Sequence, residues 1–169
     1  WTILVQMFSH VYFAHIFLNM FALFSFGNLC ERIIGRKRFF WFYLIAGIFA
    51  GILSVVLSYY FGYGFGERLF GNPTIPMLGA SGAIFGVAGL LMMLLPKLRF
   101  SIIFFPFFSM PAYIILPSFL FVFWALSAIF SWPIGNVAHF GGFMVGVVYG
   151  YYLRSKYTKK VALLGKYFK

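Results

Sequence analysis

Residues 79–95 read GASGAIFGVAGLLMMLL, from Gly79 to Leu95, without one charged side chain. At 17 residues the stretch lies at the short end of the ~17–25 that cross a hydrocarbon core as a helix. Gly79, Gly82, Gly86 and Gly89 recur at steps of three and four, so they fall near one helical face. A face of small residues lets another membrane helix approach closely, which is how helices associate where lipid removes the hydrophobic driving force. One hydroxyl, Ser81, stands at the head of this otherwise apolar segment.

Four further apolar stretches surround it: Val11 to Leu29, Phe39 to Phe61, Tyr113 to Phe130 and Val137 to Leu153. The third and fifth of the five are short, and each is expected to gain a turn from its flanks. The whole chain of 169 residues is 63% hydrophobic and 9% charged, with a mean hydropathy of +0.97. Soluble domains carry about 25% charged residues, and a soluble chain of this size cannot hide so much apolar surface. A soluble cytoplasmic enzyme is excluded; the fold class expected is an all-α polytopic membrane protein with five spans. Phe100 to Met110 is apolar but too short to cross and holds Pro106 and Pro111, so it is expected at the interface or as a kinked lead-in to the fourth span. Residues 61–78, with Gly62, Gly64, Gly66, Gly71, Pro73 and Pro76, read as a loop too rich in glycine for a helix assignment.

Charge orients the spans. Arg32, Arg36, Lys37 and Arg38 follow the first, Lys97 and Arg99 the third, and Arg154, Lys156, Lys159, Lys160, Lys166 and Lys169 the fifth. With five crossings these regions share one side and hold 12 of the 13 basic residues, leaving Arg68 opposite. The positive-inside rule makes the rich side cytoplasmic and the Trp1 side extracellular. The expected organisation is a membrane domain over 1–153 and a solvated basic cytoplasmic tail over 154–169, most simply in a plasma membrane. The net charge of +11, spread over loops and tail, suits anionic lipid rather than nucleic acid. The single cysteine, Cys30, excludes an intrachain disulfide. The chain opens at Trp1 without Met or a signal-peptide pattern, as an excerpt or processed fragment would.

Polar side chains within spans are costly and call for a reason. His10, His15 with Asn19 four residues on, Ser81 and His139 all fall near the extracellular ends of their spans, at one depth. Gly142, Gly146 and Gly150 give the fifth span a small-residue face at an unbroken four-residue period, and His139 lies three residues before Gly142 on that face. If the third and fifth spans meet along these faces, Ser81 and His139 come within hydrogen-bond reach. Aspartyl proteolysis is excluded because the chain has no aspartate. The H-E-x-x-H zinc motif is absent, the residues after the histidines being Val11, Ile16 and Phe140. Glu31 and Glu67 are placed in loops, which disfavours carboxylate-driven proton transport; a three-histidine zinc site stays open. The best remaining chemistry is a serine nucleophile with histidine as its base, a dyad without a carboxylate. Donors for the oxyanion would be the Ser81 N–H, the Asn19 amide and the His15 imidazole.

Gly79-Ala80-Ser81-Gly82, His15-x-x-x-Asn19 and Ala138-His139-x-x-Gly142-x-x-x-Gly146, in this order on three spans, resemble the rhomboid intramembrane serine proteases. The resemblance implies Ser81 as nucleophile, His139 as general base, and His15 and Asn19 as oxyanion stabilisers, with His10 a nearby structural polar residue. It implies cleavage of the transmembrane segments of other proteins, without metal or cofactor, so the expected partners are transmembrane substrates and lipid. It also implies a six-helix core, of which five spans stand here; the sixth would precede Trp1, and the Trp-Arg pair of the family's first loop stands as Trp1-Thr2. The alternative is a catalytically inactive relative that binds transmembrane helices as a chaperone; inactive relatives generally lose the serine or the histidine, and both stand here.

Overall fold

The computed structural model describes residues 1–102, 105–132 and 134–168. A short helix α1 (Thr2–Val5) and a 3-10 turn (Gln6–Phe8) lead to α2 (Phe13–Ala22), which continues through a π-helical turn (Leu23–Gly27) into α3 (Asn28–Ile34). Together α2 and α3 make one apolar rod, Phe13–Ile34, long enough to cross a membrane, as are α4 (Arg36–Phe61) and, later, α7 (Ala112–Phe130). A short turn of helix, α5 (Glu67–Phe70), follows in the connecting loop, then α6 (Ser81–Leu94). A hairpin of β1 (Arg99–Ile102) and β2 (Phe105–Pro111) precedes α7, and α8 (Asn136–Lys156) and α9 (Thr158–Tyr167) close the chain.

The polytopic helical bundle is the one the sequence predicts, with local departures. The helix over the fifth stretch is longer than expected, reaching Lys156, but among the described residues it is not one of the three helices long and apolar enough to cross a membrane. The third stretch gains no turn: α6 has only 14 residues, about 21 Å at ~1.5 Å per residue against a hydrocarbon core of ~30 Å. It tolerates this because it runs through the middle of the bundle, where protein rather than lipid surrounds it: ten of its residues, from Gly82 to Leu94, are buried. Non-helical backbone at membrane depth is stable only when protein or a wet cavity encloses it. Ser81 stands at one end of this buried helix, with Lys97 and Arg99 beyond the other.

Phe100 to Met110 forms neither an interfacial helix nor a helical lead-in. It folds as an antiparallel hairpin that pairs Phe100 with Met110 and Arg99 with Pro111; residues 103 and 104 lie outside the described ones. Proline at a two-stranded edge costs no ladder donor, which is why Pro106 and Pro111 fit strand better than helix. Arg99 ties the hairpin, its Nε donating to Ser109 Oγ at 2.9 Å and an Nη to the Ser109 carbonyl at 2.6 Å. The glycine-rich loop contains helix over Glu67–Phe70, pinned where Asn72 Nδ2 donates to Glu67 Oε1 at 2.9 Å. Glu31 and Glu67 are thus helical, not in loops; Glu31 belongs to the last turn of the first rod. The basic tail is not a free extension. Its helix α9 turns Val161 and Leu164 back onto the buried cluster of Cys30, Ile34, Leu90, Leu94, Leu95 and Leu153. Lys169 lies outside the described residues.

The centre is α6 between α4 and α8. The predicted glycine faces meet: a Cβ on Gly142 would collide with the Gly82 carbonyl, one on Gly146 with the Gly86 carbonyl, and one on Gly89 with the Phe143 carbonyl. Gly150 fits against Met93, where an added Cβ would lie 2.5 Å from Met93 Cβ. A second small-residue stripe escaped the sequence reading. Ala46, Gly47, Ala50 and Gly51 of α4 are buried, and Cβ atoms on Gly86 and Gly82 would come within 2.8 and 2.9 Å of Ala46 and Ala50. The signal was there, a run of small residues at four-residue steps inside Phe39–Phe61. Outward faces such as Trp41, Ile45, Phe49 and Ile52 stay uncovered by protein, as a lipid-facing surface requires.

Candidate active site

Ser81 opens α6, so its backbone N–H and that of Gly82 point out of the helix start with no intrahelical acceptor. His139 lies in the first turn of α8, its own N–H donating to the Gly135 carbonyl at 3.0 Å. Because α6 and α8 touch backbone to backbone just below, these two helix starts are brought side by side. His139 Nε2 and Ser81 Oγ are 2.7 Å apart. Phe85, one turn beyond Ser81, stacks on the His139 ring with centroids 4.5 Å apart and planes at 25°. That contact fixes the plane of an imidazole that no carboxylate orients. The sequence reading missed Phe85, although its spacing of four from Ser81 places it on the same face.

The turn into Ser81 is shaped by Gly79, whose φ of +122° is one that L side chains rarely adopt. A side chain there would also meet His15: a Cβ would stand 2.7 Å from His15 Nε2 and 3.5 Å from Asn19 Nδ2. The bare glycine therefore lets both predicted oxyanion donors reach the backbone leading to the nucleophile. Its N–H is spent on the Gln6 carbonyl at 2.9 Å, tying the chain start to this turn. Asn19 is buried, and its Nδ2 has no hydrogen-bond partner among the described residues. A buried donor without an acceptor is costly unless something fills the place.

His10 lies outside the helix that carries His15, since α2 begins at Phe13. Its ring meets His15 edge-on, centroids 5.0 Å apart, and both its nitrogens are buried with no hydrogen-bond partner among the described residues. The structure thus sets His139 against Ser81, His10 against His15, and His15 and Asn19 against Gly79, two residues before Ser81. Among the described residues no three of His, Cys, Asp and Glu gather in a metal-holding arrangement; Cys30 lies in the cluster at the basic end. One more polar group was missed. Asn136, three residues before His139, is buried and donates through Nδ2 to Ser127 Oγ on α7. Ser127 Oγ in turn donates to the Trp124 carbonyl at 2.9 Å, and Trp124 Nε1 to the Leu69 carbonyl of α5 at 3.1 Å. This chain of bonds ties the start of α8 to α7 and to the loop.

The family model that describes the Rhomboid domain matches residues 1–156. The chain belongs to the rhomboid family. Its rhomboid relatives include Rhomboid protein 1, mitochondrial, of Saccharomyces cerevisiae, 32% identical over 94% of this chain and 43% of that protein. Presenilin-associated rhomboid-like protein, mitochondrial, of Homo sapiens is 33% identical over 86% of this chain and 36% of that protein. Rhomboid protease GluP of Bacillus subtilis is 35% identical over 54% of this chain and 15% of that protein. The chain thus spans less than half the length of the curated relatives it matches. No solved structure matches it.

Proposed function

We propose that this rhomboid chain is an intramembrane serine endopeptidase that hydrolyses peptide bonds in or near the transmembrane segments of other proteins. The observation that carries the reading is the 2.7 Å approach of His139 Nε2 to Ser81 Oγ beside an amide donor, Asn19 Nδ2, that has nothing to bind. With its proton on Nδ1, His139 accepts the Ser81 hydroxyl proton through Nε2 as Oγ attacks the substrate carbonyl carbon. The carbonyl oxygen becomes an oxyanion and takes hydrogen bonds from the Ser81 N–H, Asn19 Nδ2 and His15. Protonated His139 then returns its proton to the leaving amine, and the acyl group stays on Ser81 Oγ. Water, deprotonated by His139, attacks the acyl carbon and frees Ser81. The Phe85 face under the ring stabilises the imidazolium formed in both halves of the cycle. No step needs a metal or cofactor.

The shortness of α6 and its enclosure by the bundle support a site sunk beneath one surface that water reaches from that side, and a substrate helix has to unwind locally to offer its peptide bond there. Clustering of the basic residues at the other end supports an orientation with that end cytoplasmic or its equivalent. The plasma membrane expected from the sequence has rivals: two of the relatives are named as mitochondrial and one is bacterial. The basic end is proposed as the cytoplasmic or equivalent side of whichever membrane holds the chain.

The test is a serine-directed fluorophosphonate probe together with a transmembrane substrate in proteoliposomes. Wild type should be labelled and should cleave; Ser81→Ala should do neither while melting at the same temperature. Substrate held without cleavage by wild type would replace the protease with a helix-binding chaperone.

A further inference from the structure

At the end of the bundle away from Ser81, a cavity of ≈ 340 Å³ lies between the end of α6, the end of α8 and the folded-back α9. Its apolar lining includes Leu94, Leu98, Val161, Ala162 and Phe168, and its polar lining includes the cations Lys97, Arg154 and Lys166. The chain's two acidic residues, Glu31 and Glu67, do not line it. Arg154 is held in place by a long bond from Nη1 to the Met93 carbonyl, 3.4 Å. Three exposed cations thus border one apolar recess, and among the described residues no acidic side chain lines it, an arrangement that a bound anion complements.

We propose that this recess binds one anionic phospholipid, its phosphate held by Lys97, Arg154 and Lys166 and the start of an acyl chain laid against Leu98, Val161 and Phe168. Three features favour a lipid over a soluble anion. Lys97 and Arg154 follow or end the helices α6 and α8 and Lys166 lies on α9 beside them, at the basic end of the bundle, where anionic headgroups are attracted. The recess joins charge to an apolar wall, which a free phosphate does not use. Helix α9 packs Val161 and Leu164 on the bundle and leaves Leu163 and Tyr167 exposed beside Lys159 and Lys160, the mix of apolar and basic side chains of a helix lying in the interface. The volume falls at the small end of ligand sites, about 300–1,000 Å³, and suits a headgroup with part of a chain rather than a whole lipid. Gly165 lines the recess, and a Cβ added to it meets nothing within 4 Å. A longer side chain therefore has room at this wall of the recess.

Native mass spectrometry of the purified chain in detergent tests this, with phosphatidylglycerol, phosphatidylcholine and inorganic phosphate as probes. The expected result is one phosphatidylglycerol retained per chain where phosphatidylcholine is stripped, with no displacement by inorganic phosphate. Replacing Lys97, Arg154 and Lys166 by Gln should weaken retention about fivefold for each cation removed. Gly165→Leu, which keeps every charge, should abolish retention by filling the recess; it decides the matter if the triple variant fails to fold. Lys159→Gln with Lys160→Gln, outside the recess, should change nothing. Equal retention of phosphatidylcholine, displacement by inorganic phosphate, binding that survives Gly165→Leu, or equal loss in the Lys159 and Lys160 variant would each overturn the proposal.

Discussion

Replacing Gly142 by alanine adds one methyl group where α6 and α8 lie closest. The new Cβ has no room, because the Gly82 carbonyl, its carbon and its Cα all crowd the position, and backbone cannot rotate away as a side chain can. The helices must part locally by on the order of 1 Å, and a misplacement of that size costs about 10²-fold when it falls on reacting groups. His139 lies three residues before Gly142 and Gly82 directly follows Ser81, so separation here opens the 2.7 Å approach itself. Overpacking a tight interior costs about 1–3 kcal/mol, and with no hydrophobic drive between membrane helices nothing else restores the contact. Probe labelling and substrate cleavage should fall about 100-fold in Gly142→Ala, with a lower melting temperature in detergent. Gly150→Ala is the matched comparison. Its added Cβ meets Met93 Cβ, also a fixed atom, but two turns further from His139, so it should lose stability while keeping most of its labelling rate. Wild-type melting and labelling in Gly142→Ala would refute the close approach; equal losses of rate in both variants would refute its coupling to the dyad.

Asn19→Ala should fold normally and lose about 10²–10³-fold in turnover, the cost of one oxyanion donor; single-turnover cleavage measures it, and an unchanged rate removes Asn19 from that role. Gly79→Ala should lose about 1–3 kcal/mol from its strained φ alone and should also push His15 aside, seen as a lower melting temperature together with slower labelling. Asn136→Ala removes a buried hydrogen bond to Ser127, yet also removes a carbonyl oxygen that is already unpartnered. Its cost should therefore stay near the lower end of about 0.5–1.5 kcal/mol, and a collapse of the fold on thermal melting would contradict that balance.

The relation of sequence to structure differs from one element to the next. Spans over Phe39–Phe61 and Tyr113–Phe130 were legible because lipid demands long uninterrupted apolar runs, and α4 and α7 follow them within a few residues. The meeting of Ser81 and His139 was legible through glycine, since two small-residue faces at helical period have one economical use in a membrane. Phe100–Met110 was not. Its composition suits lipid, strand and helix alike, and only the pairing with Arg99 and the bonds to Ser109 decide for a hairpin. Phe85 and Asn136 were missed because a phenylalanine and an asparagine carry no chemistry until a neighbour from another helix arrives.

By itself, then, the order of residues determined that this chain lives in a membrane, which segments cross it, and which hydroxyl and imidazole are candidates to react. It did so because hydropathy, charge and glycine spacing act locally, along one helix at a time. Tertiary structure alone decided the enclosure of the helix that Ser81 opens, the stacking of Phe85 on His139, the burial of the Asn19 amide and the folding back of the basic tail. Those depend on how far apart helices stand, and that distance is set jointly by atoms far apart in the chain.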